Sequence, residues 1–110
     1  MSHYYDKEDA AYRSQMAKAA PKEFQAFVGL MRVVGIEDGA IPRKYRELIA
    51  IAVAHATGCV YCIEAHVKDA KKIDVSKEEL SEAIMISSAL CAGAAGAHGG
   101  MAIKFYDRED

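Results

Sequence analysis

The sequence contains no tryptophan, and only 8% of its 110 residues are aromatic although 52% are hydrophobic. The apolar residues are therefore mostly alanine and aliphatic side chains, as in tightly packed helices. Proline occurs only twice, at Pro21 and Pro42, and both prolines suit the first turn of a helix. These features predict an all-α protein, a compact helical bundle of about five to six helices that forms a single domain over residues 1–110.

The chain also lacks a large excess of either charge. It has 14 Lys and Arg residues against 16 Asp and Glu residues, so its formal net charge is −2. Nucleic acid and anionic membranes are therefore not expected as partners. The polar residues 1–9 do not resemble a signal peptide, and no run reaches the ~18 apolar residues that a membrane span needs. We expect a soluble, cytoplasmic protein.

Cysteine is scarce, and two of the three cysteines lie close together in the sequence. An odd number does not fit a secreted disulfide framework, and a C-x-x-C pair in a reducing compartment is more often catalytic or metal-binding. In a helix, Cys59, Cys62 and His66 would share one face within two turns. Two sulfurs one turn apart can close into a disulfide, and the imidazole can take or hold the proton of Cys62. These are the parts of a redox-active dithiol.

The position of the pair in its helix also favours thiol chemistry. The reactive form of cysteine is the thiolate, whereas an ordinary thiol is mostly protonated at neutral pH. Gly58 is expected to end one helix and to place Cys59 at the start of the next, which runs to about Lys72. A helix N-terminus and a nearby imidazolium both stabilise a thiolate.

Hydrophobic spacing predicts two helices before this stretch. The first covers about residues 6–19. The second follows Pro21, has an apolar stripe and ends near Gly35; the stripe consists of Phe24, Phe27, Val28 and Met31.

A third helix is expected to begin at Pro42. Its residues 48–54 are apolar on every side, so we expect this segment to be buried, in part against another subunit.

The C-terminal part begins with a clear helix start. Ser76 and Glu79 fit a capping box. The helix that they open contains several glycines, which weaken helices, so we expect a kink or break between Gly93 and Gly100 and a last short helix through Phe105 and Tyr106.

Two alternatives compete with a redox role for the cysteines. They could be small buried residues, or they could join His55 and His66 in a Cys2His2 zinc site. Zinc-binding cysteine pairs usually lie on a tight turn, whereas the residues on both sides of this pair are predicted to be helical.

Other polar residues are open to more than one interpretation. Glu47 could form a solvated ion pair with Arg43 or Arg46, or it could be a partly buried carboxylate that exchanges a proton with His66.

For the remaining candidates we favour structural roles. His55 is expected to end the buried helix, His98 to lie at a helix end, and Cys91 to be a packed small side chain, whereas Tyr61 could gate access to the cysteines.

The spacing E-x11-C-x-x-C-x3-H, formed by Glu47, Cys59, Cys62 and His66, resembles the core pattern of the alkylhydroperoxidase D-like proteins of the carboxymuconolactone decarboxylase family. The resemblance covers about residues 42–90. It implies an all-helical fold that assembles as a homotrimer or homohexamer without a bound metal or organic cofactor. The decarboxylase branch lacks the cysteine pair, so lactone decarboxylation is disfavoured.

The resemblance also implies catalytic roles for four residues. Cys62 would be the attacking thiolate, Cys59 would resolve the sulfenic acid or mixed disulfide, and His66 with Glu47 would relay the proton. The resulting Cys59–Cys62 disulfide would be reduced by a dithiol or small-thiol electron donor. The first hypothesis is therefore a thiol-dependent enzyme that reduces hydroperoxides or disulfides. The alternative is a zinc-binding or structural oligomeric module without redox turnover.

Overall fold

The computed structural model describes residues 6–110, which form five α-helices and contain no strand. The helices, numbered in chain order, are α1 (Asp9–Ala19), α2 (Pro21–Arg32), α3 (Arg43–Thr57), α4 (Val60–Lys72) and α5 (Lys77–Tyr106). A short 3-10 helix, Val33–Gly35, follows α2. The predicted all-α class is thus confirmed. The expectation about a signal peptide concerns residues 1–9. Of these, residues 1–5 lie outside the part of the chain that the structure describes.

The chain divides into two compact units, one that ends at Arg46 and one that covers Glu47–Asp110. Each unit is described separately below. A single domain over residues 1–110 remains a prediction.

The first unit consists of α1, α2 and the segment that leads into α3. Pro21 is the first residue of α2, as predicted, because its missing N–H is not needed there. The guanidinium of Arg46 donates to the carbonyl oxygens of Val33, Val34 and Ile41, at 2.7, 3.4 and 3.0 Å. Arg46 therefore gives side-chain donors to backbone acceptors of the 3-10 helix and of the loop that follows it.

The apolar stripe of α2 is present but is not covered within the single chain. Phe24 and Phe27 pack against each other with ring centroids 5.9 Å apart. However, neither α1 nor α2 has a buried residue, and Phe27, Leu30 and Met31 are exposed.

The second unit has its core between α3, α4 and α5. Ile51 and Ala54 of α3 and Ala70 of α4 are buried. Ser87 of α5 is also buried, and its hydroxyl donates to the carbonyl oxygen of Ala52 at 2.7 Å. This hydrogen bond joins α5 to α3 and satisfies a buried hydroxyl. The predicted burial of residues 48–54 holds for one face only, since Ile49 and Val53 are exposed.

Helix α5 begins with the predicted capping box but does not break where a break was expected. The Ser76 hydroxyl accepts from the Glu79 N–H at 3.0 Å, and the Glu79 carboxylate accepts from the Ser76 N–H at 2.9 Å. The prediction of a kink between Gly93 and Gly100 is wrong, because α5 is continuous to Tyr106. Glycine lowers helix propensity but keeps its N–H donor, so the backbone hydrogen bonds continue.

Helix α5 is also apolar along most of its length and largely exposed in the single chain. Among the described helices it is the one that is long and apolar enough to cross a membrane, judged by length and composition alone. The sequence of α5 does not form an uninterrupted apolar run, because serine, glycine and His98 lie between its apolar residues. A helix that packs against other protein chains passes the same test.

Candidate active site at the start of helix α4

The turn between α3 and α4 places Cys59 at a helix start. Gly58 has a φ of +71°, a left-handed conformation that glycine adopts without strain. The Cys59 N–H donates to the carbonyl oxygen of Ala54 at 2.9 Å, which is the six-to-one hydrogen bond of a Schellman motif. The predicted stop at Gly58 is confirmed.

Cys59 is the N-cap of α4, and its sulfur has two partners. It is bonded to the sulfur of Cys62 in a disulfide, and the two Cα atoms are 5.3 Å apart. The same sulfur accepts from the Cys62 N–H at 3.2 Å, the interaction that a serine or aspartate oxygen usually makes at this position. The cysteine pair thus lies where unpaired helix N–H groups favour negative charge on sulfur.

Glu47 and His66 form a hydrogen-bonded pair between α3 and α4. The Nδ1 atom of His66 lies 2.7 Å from Oε1 of Glu47. The Glu47 side chain is fully buried, and that of His66 is mostly buried. Of the two interpretations of Glu47, the structure therefore matches the buried carboxylate rather than the solvated ion pair.

The Glu47 contact also determines which nitrogen of His66 is available. A carboxylate accepts hydrogen bonds, so Nδ1 carries the proton, and Nε2 is left as the basic nitrogen. His66 lies four residues after Cys62 on α4, and helical side chains lean toward the preceding turn. The imidazole of His66 thus lies on the face of α4 that also carries Cys62.

Asp69 is a further member of this cluster that the sequence interpretation missed. A carboxylate oxygen of Asp69, a ring nitrogen of His66 and a carboxylate oxygen of Glu47 all lie within 4.8 Å of one another. Asp69 follows His66 by three residues, so the two side chains share one face of α4, but this spacing alone does not distinguish Asp69 from the other charged residues of the helix.

The structure does not assemble the proposed Cys2His2 zinc site. The two cysteine sulfurs are bonded to each other, and Nδ1 of His55 lies 2.8 Å from the carbonyl oxygen of Ile51. Within residues 6–110, the group of His, Cys, Asp and Glu side chains close enough to share an ion is instead Glu47, His66 and Asp69. The His55 contact lies in the last turn of α3, in agreement with the role predicted for that residue.

The structure places the other candidate residues outside this cluster. Tyr61 is half exposed on α4. The predictions for His98 and Cys91 are wrong within the single chain. His98 lies inside α5 rather than at a helix end, and Cys91 is exposed rather than packed, because none of residues 6–110 covers its side chain.

The family model of the carboxymuconolactone decarboxylase family matches residues 21–100 of the chain. The chain belongs to this family. The match includes all five residues of the candidate site, which are Glu47, Cys59, Cys62, His66 and Asp69. Members of the carboxymuconolactone decarboxylase family are often enzymes, and many are oligomeric.

The chain is also similar to individual bacterial proteins. A protein from Paracoccus denitrificans, called uncharacterized protein 4 in the cox locus, is 39% identical over 101 residues, which are 92% of this chain and 90% of the relative. A protein from Cupriavidus necator is 29% identical over 84% of this chain and 80% of its own length.

The fold has a match among solved structures. The crystal structure of an apo carboxymuconolactone decarboxylase family protein from Legionella pneumophila has a TM-score of 0.66 and 26% identity, and the match covers 93% of both chains. The expected alkylhydroperoxidase D-like fold is thereby confirmed.

Proposed function

We propose that this protein is a thiol-dependent oxidoreductase in which Cys59 and Cys62 alternate between a dithiol and a disulfide. The observation that carries the proposal is that α4 has a disulfide-bonded C-x-x-C pair at its start and, four residues after Cys62, a histidine that is hydrogen-bonded to the buried Glu47 carboxylate. A packing role for the cysteines would not require a buried carboxylate and imidazole one turn away. The substrate is a hydroperoxide or a small disulfide.

With a hydroperoxide, the reaction has two steps. The Cys62 thiolate attacks one peroxide oxygen, the O–O bond breaks, and the alkoxide leaves as an alcohol after it takes a proton from His66. The Cys59 thiol then attacks the Cys62 sulfenic acid, the S–S bond forms and water leaves. Two electrons pass from the sulfurs to the peroxide, and the two thiol protons end on the alcohol and the water.

With a small disulfide, the same residues act by thiol–disulfide exchange. Cys62 forms a mixed disulfide and releases one thiol, and Cys59 then displaces the second thiol. In both cases a dithiol or small-thiol donor restores the reduced pair by the reverse exchange.

Glu47 and His66 would manage the proton in each step. Glu47 accepts from Nδ1–H of His66 and so holds the ring with Nε2 as the basic nitrogen. Nε2 takes the proton of Cys62 and later gives it to the leaving group.

The first prediction concerns a count of free thiols. The reduced protein has three, and we expect one equivalent of hydroperoxide or small disulfide to remove two of them with formation of the Cys59–Cys62 disulfide. The variant C62S should form no intramolecular disulfide. The matched control C91S should still lose two thiols, because Cys91 lies outside the cluster.

Other results of the thiol count would contradict the proposal. Unchanged thiols in the wild type with both oxidants would end it, as would full turnover by C62S. About one zinc per chain in the purified protein, with unfolding on chelation, would favour the zinc-binding or structural module instead.

The proposed assembly is a homotrimer or homohexamer. Apolar side chains of α2 and α5 are exposed in the single chain, and a second copy would cover them. The proposed location is the cytoplasm, because a reducing compartment keeps the dithiol available.

A further inference from the structure

Asp69 extends the Glu47–His66 pair toward the protein surface. It lies one turn beyond His66 on α4, and its carboxylate is within 4.8 Å of the partner atoms of both Glu47 and His66. Two carboxylates thus flank one imidazole. Neither the motif spacing nor the family assignment singles out the second of them.

Exposure to solvent increases along the three side chains. The exposed fraction is 0% for Glu47, 13% for His66 and 39% for Asp69. Water therefore reaches the carboxylate of Asp69 far more easily than it reaches Glu47. Of the three side chains, Asp69 is therefore the one best placed to exchange protons with bulk water.

The ion pair of Asp69 with Lys72 leaves that carboxylate able to accept a proton. Lys72 Nζ lies 4.0 Å from Asp69 Oδ1, and the lysine side chain is largely exposed. Surface pairs of this kind are weak and exchange readily with water.

We propose that Asp69 is a positioning residue that passes protons between the Glu47–His66 pair and bulk water. The proton leaves the protonated imidazole of His66, crosses a bridging water to a carboxylate oxygen of Asp69 and is released to bulk water, and no bond between heavy atoms changes. This inference rests on the proposed function for its role in turnover, where the imidazole of His66 takes up and gives up a proton in every cycle. Asp69 acts through His66 and does not contact the sulfurs.

The decisive test measures proton exchange directly and does not depend on turnover. Nuclear magnetic resonance of the 15N-labelled protein reports the rate at which the His66 Nδ1 proton exchanges with water. We expect D69N to slow this exchange by about tenfold, which is below the effect of a direct general acid or base. D69E keeps a carboxylate and should restore most of the rate.

The matched control removes a different carboxylate from the same helix. Glu64 pairs with Lys68 on α4, much as Asp69 pairs with Lys72, so E64Q should leave the exchange rate unchanged. An exchange rate in D69N equal to that of the wild type would overturn the proposal.

A second measurement examines the same role in turnover. D69N should slow the oxidation of the dithiol by about tenfold, and added acetate should restore the rate as its concentration rises, because a small carboxylate replaces the missing one. A slow D69N that acetate does not rescue, with normal proton exchange, would show a structural role and contradict the inference. If the wild-type dithiol does not react at all, the proposed function fails, whereas the exchange measurement still decides the role of Asp69.

Discussion

Glu47 occupies the most demanding position in the second unit, since its side chain is completely buried. A carboxylate removed from water is strongly destabilised unless a partner replaces the lost hydration. His66 supplies that partner at 2.7 Å. The pair therefore contributes to the fold of this unit as well as to the proposed chemistry.

Removal of Glu47 should destabilise the protein. E47A leaves a cavity and an imidazole without its carboxylate, so we expect the free energy of unfolding to fall by about 3 kcal/mol. E47Q keeps the volume and an acceptor oxygen for Nδ1–H and should lose less. Urea unfolding of the oxidised protein measures both values.

The control for this comparison is E64A, which removes an exposed carboxylate from α4. Its effect should stay within about 0.5 kcal/mol. A similarly small effect of E47A would mean that the buried pair does not stabilise the fold.

At the scale of residues, the spacing of Cys59, Cys62 and His66 and the family resemblance that added Glu47 singled out four candidate residues but did not describe their surroundings. The neighbouring arginines left Glu47 open to interpretation as an exposed residue, since burial depends on how α3 packs. Asp69 was missed because α4 carries several other charged residues, and sequence alone does not show which of them faces Glu47.

Helix starts are the elements that sequence predicts best in this protein, because caps and first-turn prolines act locally. Pro21, Cys59 and Ser76 stand at or next to helix starts as predicted. The continuity of α5 was not predicted. Its glycines suggested a break, but glycine only weakens a helix, and packing or other chains can outweigh that weakness.

The capping box of α5 leads to a prediction at the scale of elements. S76A removes the hydroxyl that accepts from the Glu79 N–H, so the protein should lose about 1 kcal/mol of stability. The control S81A changes an exposed serine within the same helix and should be neutral or slightly stabilising. Thermal unfolding followed by circular dichroism compares the two variants. An equal effect of both would show that the cap is unimportant.

The distribution of apolar residues is the main property of the whole molecule. Few side chains are buried within one chain, whereas large apolar side chains on α2 and α5 are exposed, among them Leu30, Met85, Ile86, Leu90 and Ile103. The apolar composition of the sequence already indicates more apolar side chains than a chain of this length can bury. The composition does not show which surfaces stay uncovered, since that depends on the packing of each helix.

The proposed assembly can be tested on α5. L90K places a charge on an exposed apolar position, so we expect the oligomer to dissociate, because burying an unpaired ammonium is strongly unfavourable. Light scattering coupled to size-exclusion chromatography measures the mass. The control K77E changes a charged position in the first turn of α5 and should leave the mass unchanged. A monomeric wild type, or an unaltered L90K oligomer, would contradict the proposed interface.

The two roles of the Cys59 sulfur link the stability of the start of α4 to the redox chemistry of the cysteine pair. The same atom caps α4 and takes part in the disulfide, so any difference in capping strength between the dithiol and disulfide forms enters a thermodynamic cycle. Whatever free energy oxidation adds to or removes from the helix start must appear, with equal magnitude, in the equilibrium between the protein and its electron donor. A substitution that stabilises the start of α4 more in one redox form than in the other would therefore change how readily the protein accepts electrons.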